Sequence, residues 1–400
     1  MLLRKVLYSG STSLLFYQIT LMLTPWAITI YISWNEGLES VGTFSYYLSI
    51  ITPLIMLISI PHRNLMISQN FFSLRSYINL RVMFYIFFFL VFVLTALVSG
   101  IELTPLLLAV YFYKVAELLC DVTVVKLIRK KNWGVLFRLG FLKACTAILI
   151  LFIGWKYLNS ATLIFVLGLL SLILLFTFSN MKENGTGYVA LKTKELIKSS
   201  IPMSITALIS SIQINVPRYV MGGNSYLTDL AVYTIFSYAG LVMIVIANSI
   251  SQVCLRELTV SVKAGELMKV KKIILHTALK IFSVCCLIFF VFVTPLGNYL
   301  LVIFDLPLND FHKDLLLISV LAAIPQVFQS AANYLLIACD EYKKMTYISF
   351  AGSIVTLLGC YHLFQYYELL GIYITLSSVG ALHVIFVWFI FTRKLRLSNV

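Results

Sequence analysis

The sequence predicts an all-α polytopic membrane protein with about twelve transmembrane helices. Three observations carry that prediction. Hydrophobic residues make up 60% of the 400 and charged residues only 12%, against roughly one quarter charged in soluble domains. The apolar stretches are long enough, at about 20 residues, to cross a bilayer as helices, and too long and uniform for barrel strands. Finally, almost all of the 30 Lys and Arg fall on one side of the stretches, which is the positive-inside pattern.

Taken in order, the spans fall near 10–33, 41–60, 82–99, 104–122, 139–157, 161–179, 201–221, 229–253, 274–295, 314–338, 346–364 and 371–391. The first follows Arg4 and Lys5 but lacks a small-x-small cleavage site before Trp34, so it reads as an uncleaved helix. Short outer loops lie near 34–40, 100–103, 158–160, 222–228, 296–313 and 365–370. The inner loops at 61–81, 123–138, 180–200 and 254–273 hold the basic residues, Lys126, Lys143 and Arg81 counted with them. Both termini are therefore expected in the cytoplasm. The net charge of +14 then reports topology, and nucleic acid is not an expected partner.

Asn180–Ser200 contains Gly185-Thr186-Gly187 and reads as a linker at 181–200 between two six-helix lobes, 1–180 and 201–400. The triplet lacks the Lys-Ser/Thr of a phosphate loop. A faint echo links the lobes: Leu38–Tyr46 and Leu227–Ile235 each give an outer turn, an acidic residue, a small residue and an aromatic. Six spans per lobe would make this a parallel repeat, with a substrate path and central cavity between the lobes.

Polar residues inside spans are expensive and mark helix contacts or cavities. Lys114, Glu117 and Asp121 share one face of the fourth span. They form either a self-neutralising packing ladder or a polar wall, with Lys114 on an anion and a carboxylate carrying a coupling ion. Arg63 after Pro61, and Arg218 after Pro217, are either interface anchors or phosphate-binding groups at the mouths of a path. Gln213 and Asn215, Asn248 and Gln252, and Gln326, Gln329 and Asn333 are either interhelical hydrogen-bonding groups or a hydrophilic lining. His276, His312, His362 and His383 are scattered without ligand spacing, and the seven cysteines show no C-x-x-C, so neither a metal nor another cofactor is expected.

Three stretches carry a family resemblance. Leu21–Pro25 followed by Val41-Gly42-Thr43-Phe44-Ser45-Tyr46, then Ile60–Arg63, then Ile201-Pro202 through Asn215 and Arg218 to Ala231-Val232-Tyr233, resemble in their order the Wzx-type O-antigen and capsule repeat-unit flippases. These form the polysaccharide branch of the multidrug/oligosaccharidyl-lipid/polysaccharide exporter superfamily. Two departures stand out: Ala231 replaces the family's usual glycine, and the acidic ladder of the fourth span has no counterpart.

The resemblance implies a non-enzymatic flippase in a bacterial inner membrane. It would carry undecaprenyl-diphosphate-linked oligosaccharide by alternating access, amid membrane lipids, with a polysaccharide polymerase and chain-length regulator as candidate partners. Lys114, Arg63, Arg218, Asn215, Asn248, Gln252, Gln329 and Asn333 would contact sugar or diphosphate, and Glu117 or Asp121 would couple an ion. Two rivals remain open: an ion-coupled multidrug exporter of the same superfamily, and a membrane polymerase or ligase. The latter would want a long outer loop with catalytic Arg or His, whereas 296–313 offers Asp305, Asp310, His312 and Lys313.

Overall fold

The computed structural model describes residues 10–58, 74–99, 103–155, 157–179, 193–223, 226–304, 306–307, 309–339 and 341–397. Within these the chain is helical, with no strand among the described residues. The helices are α1 (Gly10–Glu36), α2 (Leu38–Ile58), α3 (Leu74–Ser99), α4 (Pro105–Arg129), α5 (Trp133–Gly154), α6 (Ser160–Ser179), α7 (Thr193–Gly223), α8 (Leu227–Lys263), α9 (Leu267–Val293), α10 (Pro295–Ile303), α11 (Asp310–Ala338) and α12 (Tyr342–Leu397). In α12 the backbone leaves helical geometry at Glu368, with φ 50° and ψ −134°. That break divides it into two arms, each long enough to span a bilayer.

Eight of the helices are long and apolar enough to cross a membrane by composition, α12 counting once. α4 carries the polar ladder, and α3 shows a shorter apolar stretch, Arg81–Leu94. Large apolar side chains such as Phe152, Ile173, Phe290 and Phe389 lie exposed, as helices facing lipid require.

Where loops were expected, helix often continues. α8 runs to Lys263 and α9 begins at Leu267, so the inner loop shrinks to a turn through Gly265 at φ 70°. The residues concerned (Arg256, Glu257, Lys263 and Lys269) are good helix formers that extend spans into water. α10 is a helix where 296–313 read as loop.

The chain divides into two compact units, Met1–Asn35 with Thr43–Ser211, and Glu36–Gly42 with Ile212–Val400. In the first, α4 packs against α3, α5 and α6. Thr104 caps α4 by accepting from the Leu107 amide at 3.2 Å, and Pro105 follows where a missing N–H costs nothing. Phe112 stacks on Phe165 with ring centroids 4.5 Å apart, and the Cys120 thiol reaches the Ser171 carbonyl at 2.7 Å. α1 leans on α5 through Phe16 and Phe137, stacked at 4.6 Å.

In the second unit α11 is central, packing against α8, α9, α10 and α12. Lipid offers no hydrophobic reward for helix association, so small residues that let backbones approach matter most. Gly380 of α12 lies so close to α11 that a Cβ would sit 2.9 Å from the Pro325 carbonyl carbon. Gly42, the glycine of the first resembling stretch, faces the Leu227 carbonyl oxygen, where a Cβ would be 2.1 Å away. α2 and α8 both open on leucine with an acid in the first turn, Glu39 and Asp229, as the echo between those stretches anticipates.

Candidate functional site

Among the described residues, each unit holds a buried polar cluster. In the first, Glu117 of α4 is the hub. Its Oε2 accepts from Lys114 Nζ at 2.9 Å, and its Oε1 from the Tyr113 hydroxyl at 3.1 Å. Lys143 Nζ of α5 stands 3.4 Å from the same Oε1. Two ammonium groups thus share one carboxylate, and the trio carries a net positive charge. Lys143 is only 2% exposed, so the group is desolvated and its charges must be compensated locally. One residue beyond Glu117, the Leu118 carbonyl accepts from Arg81 of α3 at 2.7 Å, and Arg81 is itself 1% exposed.

Lys143 and Arg81 therefore do not behave as inner-loop cations. Both sit within helices that begin earlier than expected, and both are buried against α4. Arg81 falls in the inner loop expected at 61–81 and Lys143 inside the span expected at 139–157, and charge alone does not tell a cytoplasmic anchor from a cation buried against another helix. The ladder of Lys114, Glu117 and Asp121 does share a face of α4; Asp121 is half-buried one turn beyond Glu117.

On the opposite face of α4 from this cluster, α3, α4 and α6 form an apolar groove of about 650 Å³. Val82, Tyr85 and Phe89 of α3 face Leu108, Phe112 and Val115 of α4, with Phe165 of α6. The Tyr111 hydroxyl closes one wall by donating to the Tyr85 carbonyl at 2.9 Å.

In the second unit the centre is His383, in the second arm of α12 and 2% exposed. Its Nε2 lies 2.8 Å from Asn333 Oδ1 and its Nδ1 lies 3.4 Å from Gln329 Nε2, both on α11. This suits a neutral imidazole that donates from Nε2 to the Asn333 oxygen and accepts at Nδ1 from the Gln329 amide. Beside it the Ser330 hydroxyl donates to Asn248 Oδ1 of α8. Asn248, Gln329 and Asn333 thus lie in one region of the second unit. Gln252 is half-buried further along α8.

His383 lies on another helix from its partners, so no local spacing in the sequence joins it to them. The available signal was a histidine in an otherwise apolar span. Asn215 and Arg218 pair on α7, Arg218 Nη1 donating to Asn215 Oδ1 at 2.6 Å. Arg63 and the linker glycines lie outside the described residues. Among the described residues no group of three His, Cys, Asp or Glu could hold a metal ion.

No protein-family model matches this chain. No curated protein matches it either. Solved structures do. An inward-facing multidrug resistance MATE family transporter of the MOP superfamily is 12% identical, with 98% of this chain and 96% of that chain covered and a TM-score of 0.64. A MOP superfamily transporter from Pyrococcus furiosus, described by the reverse polarity of its binding pocket, is 13% identical over 98% and 95%, also at 0.64. An outward-facing MATE transporter of the superfamily is 15% identical over 97% and 94%, at 0.61. At such identities the likeness establishes the fold: this chain has the two-lobed all-helical fold of MOP superfamily transporters.

Proposed function

We propose that the protein is a transporter that flips an undecaprenyl-diphosphate-linked oligosaccharide across a bacterial inner membrane by alternating access, without making or breaking bonds. The observation that carries this reading is the cluster around Glu117, where Lys114 and Lys143 leave an excess of buried positive charge. A diphosphate entering a low-dielectric site requires such compensation. Lys114 is the more accessible of the two ammonium groups, and it can turn from Glu117 to an incoming phosphate while Lys143 holds the carboxylate. The aromatic-lined groove on the other face of α4 offers an isoprenoid chain an apolar seat.

A second reading is favoured by the solved neighbours, which are described as multidrug resistance transporters. That reading wants a buried acid able to meet a cationic drug. Glu117 is already neutralised by two lysines, which weighs against it on this helix.

Ligand-induced stabilisation separates the two. A ligand that binds only the folded state raises stability in proportion to the logarithm of its concentration over Kd. Undecaprenyl diphosphate is expected to raise Tm of the purified protein more than undecaprenol does, with the difference reduced in Lys114→Ala. Stabilisation by a cationic dye and none by the diphosphate would transfer the assignment to the drug exporter.

A further inference from the structure

We propose that His383 is a proton-binding site whose protonation opens the seam between α11 and α12, and that it couples transport to a proton gradient. The coupling part rests on the transport reading above; the proton site does not.

Three features converge on this ring. It is 2% exposed, and both of its nitrogens are taken by amides, Asn333 at 2.8 Å and Gln329 at 3.4 Å. Second, the arrangement has an internal conflict on protonation. An imidazolium donates from both nitrogens, so a proton on Nδ1 would face the NH₂ of Gln329. Gln329 must then turn its amide to present Oε1, or the ring must leave. Third, the helices at this place are built to move. α11 contains Pro325 one turn before Gln329, which removes a helical hydrogen bond and admits a bend. Gly380, less than one turn before His383, lies against that proline's backbone.

Among the described residues, no carboxylate is bonded to this ring. α11 brings Gln329, Asn333 and Ser330, and α8 brings Asn248. The charged side chains of the helices packed here stand toward their ends. They are Asp229, Glu257 and Lys263 on α8, Asp310, Lys313 and Asp314 on α11, and Lys343, Lys344, Glu368, Arg393 and Lys394 on α12. An uncompensated imidazolium is strongly disfavoured in a dry site. It is relieved when water enters, so protonation favours a conformation in which the seam is hydrated.

The experiment uses the full chain with ¹⁵N-labelled histidine in lipid nanodiscs, following the resonance that disappears in His383→Gln. Lowering the pH from neutral is expected to convert it from the Nε2–H tautomer to imidazolium. In the same titration, amide exchange in the seam should quicken about tenfold in the wild type and not in His383→Gln. Gln329→Leu removes the acceptor for the new N–H, and the midpoint is expected to fall; this variant carries the test if His383→Gln does not fold. A ring that stays neutral until the protein unfolds, or equal quickening in His383→Gln, overturns the proton site. In vesicles holding undecaprenyl-diphosphate oligosaccharide, a pH gradient should accelerate exchange by wild type and not by His383→Gln. Acceleration equal in both overturns the coupling, whereas no exchange by wild type under any gradient removes the transport reading and leaves the ring titration to decide the proton site.

Discussion

Glu117 accepts from three side chains at once, and the consequence is measurable. Breaking a buried ion pair by removing one partner strands the other charge, at about 3–5 kcal/mol. Glu117→Gln is therefore expected to lower stability by that order in a detergent or nanodisc unfolding assay. Glu117→Leu combined with Lys143→Met should recover most of it, since replacing both charges with apolar groups is often neutral. Equal loss in the single and double variants would show that the carboxylate serves something other than the lysines. Lys114 and Glu117 share a helix face and were legible through spacing; Lys143 and Arg81 come from other helices, and nothing local distinguishes a buried lysine from a cytoplasmic one. The same reason hid His383. Its amide partners were visible as a face of α11, while the ring lies a whole span away in sequence.

At the scale of elements, helix termini and breaks decide most of what can be tested. Glu341, in the turn between α11 and α12, accepts from Lys394 at 2.7 Å and pairs with Lys344 at 3.0 Å. The hydrogen bond from Lys394 holds its carboxyl below the usual range, with Lys344 adding to it. A depressed folded value stabilises the fold above the ordinary carboxylate range, about 4.3, and that contribution fades as pH falls through the depressed value. The Tm difference between wild type and Glu341→Gln should accordingly be present at neutral pH and vanish in acid; a constant difference would exclude the ion pair as its source. Glu368 adopts φ 50° without being glycine, a conformation that costs about 1–3 kcal/mol. Glu368→Gly is expected to raise stability by about 1 kcal/mol, and a loss would mean that its side chain contributes more than the strain removes. Gly380→Val should cost about 1–3 kcal/mol by forcing α12 off α11. Span positions were readable from apolar length alone. The α8 extension and α10 were not, because charged helix formers and short interfacial segments carry the composition of loops.

At the scale of the whole molecule, the chain divides into two compact helical units and shares its fold with MOP superfamily transporters; the proposed diphosphate-bearing substrate rests on the buried charges around Glu117. The strong one-sided distribution of Lys and Arg predicts cytoplasmic termini, so a reporter joined after Val400 should be active inside the cell and silent outside. The proposed activity is movement of a lipid-linked oligosaccharide. Its most direct measurement is transbilayer exchange in reconstituted vesicles, following the fraction of undecaprenyl-diphosphate oligosaccharide reachable from outside over time. The account predicts exchange that depends on the protein and slows at least about tenfold, a barrier increase of about 1.4 kcal/mol, in Lys114→Ala. Exchange no faster than in empty vesicles, with the same preparation expelling a cationic dye, would contradict it.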